Sequence, residues 1–225
     1  MTTSQLVFDL PNNPGLEAED YLITDCNNHA VQQVFGQWPH FSLYLQGESG
    51  AGKSHLAHIW QHQHHAIIFN ENHIKLAEHL PKLPEQQPYL LIEDIPELLK
   101  KRGASVWLFH LYNLIWQRGG HLLLTGRIHP AKLAIRLKDL RSRLRSVPVA
   151  VIYPPDDAML AALLVKHFRD RQLQVDDAVI SFILGRMERS FAAAAAIPAK
   201  LDMASLAQNR PISVNLAKGI MDHDT

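Results

Sequence analysis

The chain has one cysteine, Cys26, in 225 residues. That excludes an intramolecular disulfide and fits a reducing compartment. No apolar run approaches the roughly 20 residues of a membrane-spanning helix, and the N-terminus shows no signal-peptide pattern. The chain therefore reads as cytoplasmic, with no membrane role. Net charge is also absent: Lys plus Arg and Asp plus Glu each number 22. No global field calls for nucleic acid or an acidic lipid surface, so a nucleic-acid role would need a local patch. Repeats and low-complexity tracts are missing apart from the five alanines Ala192 to Ala196. What is present is 47% hydrophobic residues. This is too much for a disordered chain, and the length suffices for a full core in one or two domains.

The most informative stretch is Gly47 to Ser54, GESGAGKS, which fills the pattern Gly-x-x-x-x-Gly-Lys-Ser/Thr of a phosphate-binding loop. Leu43-Tyr44-Leu45 before it reads as a buried strand and His55 to Trp60 after it as a helix, the context that the motif needs. Glycines 47, 50 and 52 let the backbone bend so that its N–H groups point into one hollow, and the following helix adds its positive end. The candidate nucleotide-binding set is Gly47, Gly50, Ala51, Gly52, Lys53, Ser54 and His55. Lys53 would reach the β- and γ-phosphates, and Ser54 would offer its hydroxyl to Mg²⁺.

In chain order, residues 1–19 carry Pro11, Pro14 and Gly15 and read as an extended arm. Within it, segment 5–10 places Leu6, Phe8 and Leu10 on one side behind the polar Gln5, an arrangement suited to a partner's groove or to a short strand of its own domain. Residues 20–153 read as an α/β domain. Asn27 or Asn28 caps a helix with Ala30, Val31, Val34 and Phe35. Further strands are expected at Ala66 to Phe69, Tyr89 to Ile92, His121 to Gly126 and Val149 to Ile152. A helix is expected around Ile74, Leu76 and Leu80, and a strongly apolar one from Val106 to Trp116. Trp60, Trp107 and Trp116 are assigned to the core. Glu93-Asp94 follows the third strand at its carboxyl end, where open parallel sheets bind ligands. After Pro154-Pro155 the strand signal ends, and residues 154–225 read as a small all-α domain. Asp156, Asp176 and Ser213 are its expected helix caps, and Pro198 is expected to kink or break the alanine-rich helix.

A phosphate loop, acids after the third strand, a polar end on the fourth, arginines before the fifth and a helical lid together resemble the AAA+ proteins. Leu90 to Ile95, Trp107 to Asn113, Leu140 to Leu144 and Tyr153 to Asp156 are similar to the nucleotide-binding domain of the replication initiator DnaA, from Asp20 nearly to the end. The resemblance stops where DnaA would continue into a helix-turn-helix domain. With Gln5 to Leu10 in front, the pattern resembles the Hda family of DnaA regulators.

That resemblance implies an AAA+ P-loop domain with a five-stranded parallel sheet, followed by a lid. It implies ADP or ATP with Mg²⁺ as cofactors, and the DNA polymerase sliding clamp and DnaA as partners. A homo-oligomer is left open and no sequence-specific DNA binding is expected. Gln5, Leu6, Phe8 and Leu10 would dock on the clamp. Glu93 takes the usual Walker B aspartate position and Asp94 that of the catalytic glutamate. This inverted order predicts weak intrinsic hydrolysis, because a base displaced by about 1 Å can lose on the order of a hundredfold. Arg143 matches the arginine finger, acting on ATP held by DnaA, and Arg189 the lid's sensor arginine, with an ion pair to Glu188 or Glu85 as the alternative. Thr125 falls at the first sensor position, next to Gly126. Tyr21, Leu22 and Asn27 fall where relatives contact adenine. The rival readings are a self-assembling AAA+ ATPase such as a helicase loader, a small-molecule P-loop kinase, and a DNA-binding module using Lys132 to Arg145.

Overall fold

In the computed structural model the described residues are 21–69, 83, 85 and 88–221. The expected clamp segment 5–10 and the helix around Ile74 to Leu80 lie outside them. The described chain divides into two compact units. One runs up to Ile152, except that the short segments Thr24–Cys26 and Ser49–Ala51 group with the second, which continues from Tyr153.

The first unit is built on five parallel strands in the order β2-β3-β4-β1-β5: β1 (Ser42–Gln46), β2 (Ile67–Phe69), β3 (Tyr89–Ile92), β4 (His121–Gly126) and β5 (Val149–Val151). Their apolar runs are continuous, as expected of strands covered on both faces. Tyr44, Leu90, Ile92, Leu122 and Leu124 join one core cluster, while their neighbours Leu43, Leu45, Leu91 and Leu123 are equally buried. Helix α1 (Asn28–Phe35) packs beside β5 and β1, and α2 (Lys53–His64) crosses β1, β3 and β4. A single turn, α3 (Ile95–Leu98), follows β3 directly. Helix α4 (Ala104–Gln117) packs on β4 and on α5 (Lys138–Ser146). Asn27 precedes α1 without capping it; its amide nitrogen donates to the Leu22 carbonyl instead, at 2.7 Å.

Trp116 corrects the sequence reading. Trp60 and Trp107 are buried as expected, but Trp116 is 60% exposed. Helix α4 is apolar nearly all round, so its periodicity cannot tell the sheet-facing stripe of Trp107, Leu108, Leu111 and Ile115 from the outward residues Val106 and Trp116.

The second unit holds α6 (Asp157–Asp170), α7 (Asp177–Leu184), α8 (Phe191–Gln208) and α9 (Val214–Met221) around Leu160, Leu164, Phe168, Ile183 and Leu201. Asp156 caps α6 by accepting the Met159 N–H at 2.7 Å, and Ser190 caps α8 through the Ala193 N–H. Asp176 makes no side-chain cap bond. The expected break at Pro198 does not occur: α8 runs through it. Its missing N–H forfeits one helical bond, but Pro198 is buried in line with Ala194 and Leu201, and α8 packs against both α6 and α9. Tertiary burial outweighs the local cost.

Candidate functional site

Parallel pairing brings three strand ends together. Gln46 of β1 lies opposite Gly126 of β4, Ile92 of β3 lies opposite Leu124, and Glu93 and Asp94 follow β3 directly. The loop after β1 therefore opens beside the acids after β3, at the carboxyl edge where such sheets bind ligands.

Within the loop, Gly50 and Gly52 adopt φ of 79° and 80°, values that L-residues with a side chain seldom take. Gly47 does not share this conformation, contrary to expectation. Its N–H donates to the Gly126 carbonyl at 3.3 Å and prolongs the β1–β4 pairing by one residue. A side chain at Gly52 would also come within 3.2 Å of the Tyr21 ring, which meets His55 edge-on at 5.2 Å. Tyr21 thus lies against the start of α2, and Asn27 fixes the neighbouring Leu22 backbone.

Lys53 Nζ donates to the Glu48 carbonyl at 2.7 Å, inside its own loop. Burial lowers its pKa; Asp94 opposes this and the Arg127 charge adds to it. A partly desolvated ammonium at the start of a helix, on a loop bent by glycines, is chemistry that suits phosphate. Glu93 is held from α2 at two points. His58 Nε2–H donates to its Oε2 at 3.2 Å, and the Ser54 hydroxyl adds a second bond. The His58 bond is the main cause that lowers the Glu93 pKa, and it raises that of His58. The expected Mg²⁺ pair, hydroxyl and carboxylate, thus influence one another, Ser54 helping to lower the Glu93 pKa, and hard oxygen donors are what that ion takes.

Asp94 sits in the left-handed region at φ 45°. Its N–H donates to Thr125 Oγ1 at 3.0 Å, its carbonyl opens α3, and its side chain is exposed. Thr125, 2% exposed, ties the ends of β3 and β4 together.

Arg143 lies elsewhere on this unit, on α5. Its guanidinium stands 5.3 Å from the Phe109 ring centroid and 5.6 Å from that of Tyr112. It borders an open groove with His110, Asn113, Leu114, Trp116 and Gln117. Sequence reasoning missed the aromatic platform, whose signal was Phe109 and Tyr112 three residues apart on one helix. In the second unit Arg189 pairs with Asp157, not with Glu188 or Glu85, and reaches the Leu184 carbonyl at 3.4 Å. Among the described residues no cluster of His, Cys, Asp and Glu could hold a metal ion by itself, His58, His62, His64 and His65 included. No described helix is long and apolar enough to cross a membrane.

Comparison with known proteins agrees with this geometry. Residues 156–221 match the family description "Hda, lid domain". The chromosomal replication initiator protein DnaA of Sulfurimonas denitrificans is 25% identical over 93% of this chain and 53% of its own length. The chain thus spans about half of that curated relative. Domain III of the Thermotoga maritima replication initiation protein DnaA superposes with a TM-score of 0.71 at 20% identity, covering 95% of this chain and 98% of that one. AMPPCP-bound DnaA from Aquifex aeolicus gives 0.63 at 18% identity, covering 85% and 66%. The parallel sheet followed by a helical C-terminal part is the fold shared with these DnaA structures. In sequence the chain is similar to DnaA, and over residues 156–221 to the Hda lid domain.

Proposed function

We propose that the chain is a nucleotide-binding AAA+ regulator of replication initiation, which docks on the DNA polymerase sliding clamp and promotes hydrolysis of ATP held by DnaA. The observation that carries this is Arg143, presented on an aromatic platform beside an open groove and on a different element from the chain's own phosphate loop. An arginine that serves a γ-phosphate on another protein must stand at a surface and hold its direction without an acidic partner. Phe109 and Tyr112 support it in that way, through their ring faces and without neutralising its charge. Arginines supplied across a boundary in GTPases raise rates by about 10³ to 10⁵.

The chain's own nucleotide would be ADP or ATP, as the AMPPCP-bound DnaA suggests by likeness. Gly50, Ala51, Gly52 and His55 would present backbone N–H groups, Lys53 its ammonium, and Tyr21, Leu22 and Asn27 the base-side wall, while Gly47, its N–H bonded to Gly126, would shape the loop's entry. Ser54 and Glu93 would hold Mg²⁺, which when bound neutralises phosphate charge. Asp94 would orient water. Its exposed carboxylate on a left-handed backbone is consistent with the weak intrinsic hydrolysis expected from the inverted acids. Arg189 would report on the nucleotide from the lid by leaving Asp157. Clamp docking rests on Gln5, Leu6, Phe8 and Leu10, by sequence alone.

The deciding assay measures hydrolysis of DnaA-bound ATP with DNA-loaded clamp present. Arg143→Ala should reduce stimulation by at least about 10³-fold and leave ADP binding unchanged. Undiminished stimulation would sink the reading. Vigorous hydrolysis by the isolated chain would favour a self-assembling ATPase such as a helicase loader.

A further inference from the structure

We propose that His58 is a positioning residue for Glu93, and through it sets the Mg²⁺ affinity of the nucleotide complex. This rests on the reading of the loop as a site for Mg²⁺-nucleotide.

Ser54 and His58 stand four residues apart on α2, so their side chains share one face. That helix packs against β3, whose end releases Glu93 with its N–H on the Phe69 carbonyl at 3.3 Å. A glutamate side chain has several rotatable bonds, and ordering it at the moment of ion capture would cost rotamer freedom. Here it is ordered beforehand. His58 Nε2 holds Oε2 at 3.2 Å, and both side chains are about three-quarters buried, at 26% and 22% exposure. A carboxylate only accepts, so the histidine must carry its proton on Nε2.

His58 is not itself a ligand in this scheme. Mg²⁺ prefers oxygen donors, and the imidazole nitrogen that faces the site is already spent on the carboxylate. The neighbouring His62 and His64 do not join it, since no metal-holding cluster exists among the described residues. The arrangement is that of an outer partner which orients a ligand, a class of residue whose loss typically weakens metal affinity 10- to 100-fold. Asp94, by contrast, is tethered through its backbone and leaves its carboxylate exposed. Of the two acids, Glu93 is the one prepared for the ion.

The test is titration of the full chain with fluorescent mant-ADP, in excess Mg²⁺ and in EDTA, with bound Mn²⁺ counted by electron paramagnetic resonance. His58→Ala should lose about tenfold in Mn²⁺ affinity and in the Mg²⁺-dependent part of mant-ADP binding, with the EDTA value unchanged. His58→Gln, whose amide nitrogen can take the place of Nε2, should restore most of it. Equal loss with and without the metal, no loss in either, or failure of glutamine to rescue would each overturn the proposal. A wild-type chain that binds no mant-ADP in either condition would overturn the loop reading as well. Lys53→Ala separates the two cases, because it should weaken binding in both conditions.

Discussion

Gly126 has no room for a side chain. A Cβ there would collide with the Tyr44 hydroxyl and lie 2.8 Å from Pro96 Cδ. The Tyr44 ring, fully buried, crosses this point to donate its hydroxyl to the Ile128 carbonyl at 2.8 Å. Against a rigid ring and a proline the backbone must shift, a change that usually costs about 1–3 kcal/mol. We expect Gly126→Ala to lower the urea midpoint accordingly, and Tyr44→Phe, which removes the obstructing oxygen, to recover part of the loss in the double variant. Strictly additive losses would show that the two positions do not interact. In the sequence this glycine was notable only as the neighbour of the first sensor position. In the fold it is a steric requirement, and Thr125 next to it acts as a bracket for the Asp94 backbone. Neither fact is local: Tyr44 is 82 residues away along the chain from Gly126, and single-sequence patterns carry no information at that range.

At the scale of elements, the ends of α2, β3 and β4 meet in a stack of rings. His64 lies parallel to Tyr89 with centroids 4.6 Å apart, and Tyr89 parallel to His121 at 4.8 Å. Trp38 and Trp60 close the cluster. Burial lowers the pKa of both histidines, and His121 lowers that of His64 further. The unfolded chain thus binds protons more readily than the folded one. Their contribution is fully present above about pH 6.5 and is lost as pH falls toward the lowered values. Denaturant unfolding at pH 7.5 and 5.5 should show this loss, and His64→Phe with His121→Phe should flatten the acid-side slope. An unchanged slope would assign it to other groups. The five strands were legible in advance because buried parallel strands read as unbroken apolar runs. The turn α3, only four residues long, and the continuity of α8 through Pro198 were not, since both depend on neighbours and not on periodicity.

At the scale of the molecule, the charge balance leaves little long-range pull toward polyanions, so the proposed nucleotide affinity would come from the few groups around Gly47 to Ser54. Ligand bound only by the folded state adds stability by mass action, about 2.7 kcal/mol at a hundredfold excess over Kd. We expect ADP or ATP to raise the thermal midpoint of the wild-type chain and to leave Lys53→Ala unmoved. A shift that survives in the variant would place the nucleotide elsewhere. The phosphate loop could be read from the sequence because its glycines, lysine and serine are contiguous. The contact between His58 and Glu93 could not, since they lie 35 residues apart and meet only when α2 settles on β3.

The exposed Trp116 has a practical consequence. Trp60 and Trp107 are nearly sealed at 1% and 5% exposure, whereas Trp116 stands in the groove that Arg143 borders. Its indole emits from water and theirs from hydrocarbon, and the fourth, Trp38, is partly buried, so red-edge excitation favours Trp116. The protein thus carries an unlabelled optical reporter at the surface proposed to meet DnaA, one that should shift to the blue and resist acrylamide quenching when that surface is covered.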